Sequence, residues 1–371
     1  MQRVEVTRPV VVQHSAGLPG ANGPLTAVQR VLASHLAEEY EFVRMHQSAG
    51  NGSLNVPLLR EWVRLLRRVR PDLVHVRGLQ NEGFHGVLAA RLAGCPRILV
   101  TVHGTVRDLR GPGRLWRRRL LVRGAEPATL RLASHVGTVC EYAARRDFLR
   151  DLGGKFVGVI PNGVPLPEDP REARQRTRAE LGLDPDDVVM IAVSRLTWEK
   201  GYGVLAEALR RLPPSTVRRP QPSTVRRVLL VAGDGPDRAG IAAALAAAGD
   251  VEVRLLGNRL DVPDLLAAAD LFVFPTLHEN LSNALLEAMA YGLPVVASAV
   301  GGNVEVLRSG GGRLVPAGDP QALAGALSPL LDDPAERRHM GELARKVVAE
   351  SYSLDVMLGA LDGVYQRILG E

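Results

Sequence analysis

Leu271-Phe272-Val273-Phe274-Pro275-Thr276-Leu277-His278-Glu279-Asn280-Leu281-Ser282-Asn283-Ala284-Leu285-Leu286-Glu287-Ala288-Met289-Ala290 runs from an apolar stretch, through a short polar one, into a helical pattern. Four apolar residues closed by Pro275 and Thr276 read as a buried strand and its end. Apolar spacing resumes at Leu285, so Glu279 falls in the loop and Glu287 one or two turns into a helix. Strand, polar loop and helix start together put the unpaired amides of a first helical turn at a strand's carboxyl end. Open parallel sheets bind their ligands there, and such amides suit anions and hydroxyls. Alone, either glutamate reads as an ordinary solvated carboxylate; its neighbours along the chain change that reading.

Short β-branched runs alternate with helical patterns through most of the 371 residues, which predicts βα units around parallel sheets. In the first half strands are expected near 10–13, 41–43, 72–76, 98–102, 135–139 and 156–160. Pro161-Asn162-Gly163-Val164-Pro165 breaks the alternation, and a charged linker is expected near 163–186. The pattern restarts with strands near 188–193, 228–231, 251–255, 271–274, 294–297 and 313–315, and with helical spacing over 27–36, 205–212 and 241–248. The fold class is therefore α/β, with two Rossmann-like domains: residues 1–165, residues 166–355, and a C-terminal helix over 356–371 packing back on the first. The hexapeptide at 214–219 recurs at 222–227 and reads as a duplication tolerated in a surface loop.

Several predicted strand ends in the second half carry ligand-type residues. Arg195 and Lys200 follow the strand at 188–193, and two cations five residues apart suit a diphosphate, the arginine as a planar fork and the lysine as a point charge. Gly233-Asp234-Gly235-Pro236 and Gly257-Asn258-Arg259 follow the next two strands. Gly292-Leu293-Pro294-Val295-Val296-Ala297, Gly301-Gly302 with Glu305, and Pro316-Ala317-Gly318-Asp319 complete the series, and Asn162-Gly163-Val164 precedes it.

In order and spacing this set resembles the donor domain of the retaining glycosyltransferases of family 4 (glycosyl transferases group 1). The match is strong over about 135–320 and weak in the first half. The resemblance implies a GT-B fold, two Rossmann-like domains facing each other across a cleft, and transfer of a sugar from a nucleoside diphosphate donor. It further implies that Arg195 and Lys200 neutralise the diphosphate and that Glu287 accepts hydrogen bonds from the ribose hydroxyls. Glu279 and the amides of Asn280, Leu281, Ser282 and Asn283 would hold the donor sugar, with Gly257, Asn258 and Arg259 flanking the base. Where the family usually has Gly after the first glutamate and Pro two residues later, this chain has Asn280 and Ser282, which bears on which sugar is held.

The first half is less explicit. Gly17, Gly20 and Gly23 make G-x-x-G-x-x-G rather than the dinucleotide fingerprint G-x-G-x-x-G, so a nicotinamide cofactor is not expected. The resemblance instead matches Asn22-Gly23 to a loop whose amides close over phosphates, and His103, at a strand end, to a histidine facing the donor sugar. His14 and His75 also sit in or at strands and read equally as structural or acceptor-side residues. Three separated histidines do not make a metal site, and Asp184-Pro185-Asp186-Asp187 precedes its strand and reads as a turn. Cys95 and Cys140 make neither a disulfide framework nor a metal-ligand spacing.

Net charge is +6, but residues 1–165 hold 24 Lys and Arg against 12 Asp and Glu, whereas 166–371 hold 22 against 28. The basic surplus thus belongs to the half expected to bind acceptor, and only three of the 46 basic residues are Lys, so arginine abundance alone does not indicate nucleic acid. From Arg107 to Arg123 there are seven arginines interleaved with apolar residues. This stretch reads as a solvated face, as a peripheral membrane contact, or as a contact to an anionic acceptor. No apolar run reaches the roughly 18 residues of a membrane span. The expected protein is a cytoplasmic, metal-independent retaining glycosyltransferase without a cofactor, acting from a UDP- or GDP-sugar on a hydroxyl acceptor: a small metabolite, an antibiotic aminocyclitol, or a lipid or glycan precursor. A GT-B epimerase or phosphorylase is the alternative enzyme, and a basic nucleic-acid-binding protein the alternative of another class.

Overall fold

Each of the twelve apolar runs forms a strand, and every strand pairing among the described residues is parallel. The computed structural model describes residues 8–17, 23–47, 54–105, 107, 119–214 and 225–371. The chain divides into two compact units, Met1–Asn162 with Leu354–Glu371, and Gly163–Ser353.

Unit 1 contains β1 (Val10–Ala16), β2 (Glu41–Gln47), β3 (Leu73–Arg77), β4 (Ile98–Val102), β5 (His135–Thr138) and β6 (Phe156–Val159), in the order β2-β1-β3-β4-β5-β6. Successive residues of a strand point to opposite faces, and here they supply two cores. Val12, Val74 and Val100 pack with Trp62, Leu66 and Val87 on one face. Val11, Leu73 and Leu99 pack on the other with Val31, Leu36, Met357 and Leu361. The last two belong to the C-terminal helix Leu354–Gly370, so the chain's final segment covers one face of the first sheet.

Unit 2 contains β7 (Val188–Val193), β8 (Arg227–Ala232), β9 (Val251–Gly257), β10 (Leu271–Phe274), β11 (Val295–Ser298) and β12 (Gly312–Val315), in the order β12-β11-β10-β7-β8-β9. In such doubly wound sheets the chain leaves neighbouring strands in opposite directions at one point, which opens a crevice at their carboxyl ends. That point lies between β1 and β3 in unit 1 and between β7 and β10 in unit 2.

Two local expectations change. The helix expected over 27–36 spans Gly23–Leu32. Ser34 ends it, donating its hydroxyl to Val31 O at 2.7 Å and accepting from Leu36 N at 3.3 Å. The expected linker near 163–186 contains the helix Arg171–Glu180, in which only Thr177 and Arg178 are buried. It is held by side chains that no hydrophobic period reveals: Arg174 pairs with Asp270 at 2.5 Å, and Arg178 donates to Ala268 O at 2.9 Å and Asp187 O at 2.7 Å. The 184–187 turn is present, with Asp187 Oδ2 accepting from Asp184 N at 2.8 Å. Most of the duplicated hexapeptide lies outside the described residues. Its last two arginines are structural, Arg226 pairing with Asp187 and Arg227 with Asp332. Among the described residues no helix is long and apolar enough to cross a membrane.

Candidate functional site

The unit 2 site grows from the turn after β7. Trp198–Lys200 form one 3-10 turn that ends on Gly201 in a left-handed conformation, φ +79°. A Cβ on Gly201 would stand 1.8 Å from Pro275 O, immediately after β10, so only glycine allows these two strand ends to approach so closely. Leu277 N donates to Glu199 O at 2.9 Å across the same contact. The approach places Lys200 Nζ 2.9 Å from Glu279 Oε2, both side chains at most one-fifth exposed, at the β7/β10 crevice.

The loop after β10 is clamped from its other side as well. Gly302 N donates to Asn280 O at 2.7 Å, and a Cβ on Gly302 would lie 1.9 Å from that oxygen. Asn280, Leu281 and Ser282 are buried as a result. Ser282 caps the helix Asn283–Ala290, its hydroxyl accepting from Leu285 N at 3.3 Å. Glu279 Oε1 accepts from Asn280 N at 3.2 Å, which orients the carboxylate over the start of the helix. Asn283 Oδ1 is buried and accepts no hydrogen bond from the described residues. Glu287 lies one turn further on, half-buried.

The remaining unit 2 candidates are distributed more widely. Arg195 is well exposed and leans on Glu199 at 2.9 Å. Gly233 and Gly235 let the end of β8 pass beneath the β7 turn, since Cβ atoms there would meet Ser194 O at 1.9 Å and Leu196 O at 2.4 Å. Gly257 closes β9, the edge strand, with its carbonyl accepting from Gly233 N at 2.7 Å. Asn258 is exposed, whereas Arg259 is committed to Asp261 through Nε at 2.7 Å. The structure thus gathers Lys200, Glu279 and residues 280–283 into one place and leaves 257–259 two strands away from β7.

In unit 1, His103 follows β4 and lines a partly open cavity of about 20 Å³ together with His75, Arg77, Thr101 and Asn162. Burial, followed by the charge of Arg77, pushes its pKa down to about 3. His75 is locked between the Tyr365 hydroxyl and Thr101 Oγ1, each at 2.7 Å. His14 is fully buried edge-on to Trp62, its ring nitrogens unbonded among the described residues, and burial brings its pKa to about 3. His14 lies in the interior of the unit, whereas His75 also lines the cavity. Asn22 lies outside the described residues, and Gly23 opens the helix Gly23–Leu32. Of the arginine-rich stretch, residues 108–118 lie outside the described residues; Arg107 pairs with fully buried Glu126 at 2.9 Å and lies 4.7 Å over the Phe148 ring. Sequence reasoning missed Arg77, which lines the cavity and donates to Gln13 Oε1 at 2.7 Å. The available signal was a charged residue closing the apolar strand Leu73–Arg77. Among the described residues no group of three His, Cys, Asp or Glu side chains is placed to hold a metal.

Two doubly wound units, one with a cation–carboxylate pair at its switch point, define a two-domain α/β ligand-binding protein of the Rossmann type. Residues 173–347 match the model of the glycosyl transferases group 1, and residues 20–167 that of glycosyltransferase family 4. The chain is 31% identical over 342 residues to a 2-deoxystreptamine glucosyltransferase of Streptomyces kanamyceticus, covering 84% of this chain and 82% of that one. It is 29% identical over 279 residues to the UDP-Gal:alpha-D-GlcNAc-diphosphoundecaprenol alpha-1,3-galactosyltransferase of Escherichia coli, covering 73% and 69%. The fold is that of Anabaena HepE, solved in complex with UDP and glucose, with a TM-score of 0.74 over 97% of this chain and 99% of that one at 19% identity. The chain belongs to glycosyltransferase family 4 of the group 1 enzymes; it is a glycosyltransferase with the GT-B fold.

Proposed function

We propose that the enzyme is a retaining, metal-independent glycosyltransferase that moves a hexosyl-type sugar from a UDP- or GDP-sugar to a hydroxyl of its acceptor. The observation that carries this reading is the Lys200–Glu279 pair at 2.9 Å in the β7/β10 crevice of unit 2. It sets a cation for the diphosphate beside a carboxylate for the sugar hydroxyls. Arg195 adds the second cation, Glu287 takes the ribose hydroxyls, and the 280–283 segment supplies amides to the sugar. The family resemblance assigns His103 to the donor sugar and residues 257–259 to the base.

In this reading the bond from the anomeric carbon to the diphosphate oxygen breaks as the acceptor oxygen adds on the same face. The departing phosphate takes the acceptor's hydroxyl proton. The protein then contributes position and charge stabilisation rather than a nucleophile. The relatives' names support the range of acceptors, one citing an aminocyclitol and the other a diphosphoundecaprenol-linked sugar. The complex of HepE with UDP and glucose supports the nucleotide type.

The test is incubation of the enzyme with a panel of UDP- and GDP-sugars, scoring nucleoside diphosphate release and the anomeric configuration of the product by NMR. Release from one donor with configuration retained is expected, and Lys200→Ala should lower it about 10²-fold, the effect of losing one electrostatic stabiliser. Inverted product, or full activity in Lys200→Ala, would refute the proposal.

A further inference from the structure

Trp198 opens the turn that carries Lys200, and at 44% exposure it keeps much of its indole in water. An exposed aromatic by itself needs no explanation. The residues beneath this one do. Gly240, in the first turn of the helix Arg238–Leu245, passes under the six-membered ring of the indole. A Cβ there would stand 2.9 Å from Trp198 Cζ2. Gly203, in the first turn of the helix Tyr202–Arg210, lies at the neighbouring edge, where a Cβ would stand 3.7 Å from Cζ3. Both glycines are exposed and neither has a positive φ, so alanine would ordinarily serve either helix better. At Gly203 an added methyl would merely touch the ring. At Gly240 it would collide, because carbon atoms pack at about 3.5–4.0 Å.

The same helix start holds the residue's backbone. Trp198 N donates to Asp237 Oδ2 at 3.0 Å, and Asp237 N donates to Leu196 O at 3.2 Å. Trp198 is thus gripped at its amide and at its ring by residues 237–240. On the other side the turn is fixed to the end of β10 through Glu199 O and the close approach of Gly201 to Pro275. Lys200 sits between the two supports. Its own amide donates to Thr197 O at 3.0 Å, and Gly201 N donates to Trp198 O at 3.0 Å, so the turn moves as one piece. An indole displaced from Gly240 therefore carries the backbone of Lys200 with it. A shift of about 1 Å in a group that must meet a reacting substrate can cost about 10²-fold in rate.

We propose that Trp198 is a positioning residue for the transfer reaction: seated on Gly240, it holds the Lys200 turn against the β7/β10 crevice and keeps Nζ beside Glu279. It touches no substrate in this role and acts through Lys200 alone. Its effect on catalysis rests on the transferase reading; the seat on Gly240 does not.

Donor cleavage and thermal unfolding of the full chain test this in Trp198→Ala, Gly240→Ala, Lys200→Ala and their pairs. With a UDP- or GDP-sugar that the wild type cleaves, and well below Tm, Trp198→Ala should lower kcat about tenfold and change the donor KM far less. Gly240→Ala, which keeps the indole but pushes it off its seat, should lower kcat in the same sense. In the Lys200→Ala background Trp198→Ala should cost less than about twofold more, because no ammonium is left to misplace. A purely structural tryptophan would give multiplicative losses there, and that result, or wild-type kcat in Trp198→Ala, would overturn the proposal. The seat is read without substrate. Gly240→Ala should lower Tm when Trp198 is present and raise it in Trp198→Ala, where alanine simply favours the helix. A rise in both backgrounds would show that the ring does not rest on Gly240 and would equally overturn the proposal. Wild-type enzyme that cleaves none of the donors would refute the transferase reading, and the two Tm changes would still decide the seat.

Discussion

Lys200 and Glu279 are useful to one another before they are useful to a substrate. Each is mostly withdrawn from water, so each charge needs the other, and a variant that removes one leaves its partner poorly solvated. Residues that act as one unit have non-additive effects. A cycle of Lys200→Ala, Glu279→Ala and the double variant should therefore show each single change lowering kcat/KM about 10²-fold, with the double variant close to either one. Additive losses, about 10⁴-fold in the double variant, would mean that the two groups act on the donor independently. Arg259 shows the opposite case: its guanidinium is already taken by Asp261, whereas Asn258 beside it is exposed.

At the scale of elements, the donor-side loops are shaped by backbone contacts that admit no side chain. Gly201 has φ +79° and no space for a Cβ beside Pro275 O. Gly201→Ala should cost on the order of 1–3 kcal/mol in backbone strain alone and drive the Lys200 turn away from β10. The expected result is a lower Tm together with a loss of activity comparable to that of Lys200→Ala; normal activity would show that the turn tolerates displacement. The strands, and the order of motifs along them, were legible because apolar β-branched runs between turn residues leave few other readings. Glu279 in a loop and Glu287 in a helix were equally legible from the spacing around Ser282. The helix Arg171–Glu180 was not, since its stability comes from arginines reaching the distant Asp270 and buried carbonyls. Arg77 was not either, because its burial depends on Gln13 and Tyr365, which lie far from it along the chain.

Across the whole molecule, acid sensitivity should concentrate in unit 1. Burial holds His14 at a pKa of about 3 and His75 well below its ordinary 6.5, while His103, with part of its ring in the cavity, also lies at about 3. In the unfolded chain these rings take up protons near pH 6.5, whereas the folded unit keeps them neutral. Their contribution to stability is thus fully present above pH 6.5 and is lost as the pH falls from there toward 3. Melting curves should show unit 1 losing Tm between pH 7 and pH 5, and His14→Phe, apolar against Trp62, should flatten that dependence; an unchanged slope would refute the role given to His14. A different consequence follows from the helix Leu354–Gly370, which closes one face of the first sheet although it is made after residues 163–353. On a ribosome, residues 163–353 are synthesised while Val11, Leu73 and Leu99 still wait for Met357 and Leu361 to emerge. Domains of a nascent chain ordinarily mature from the amino terminus onward. In this one the unit begun before the other is completed after it.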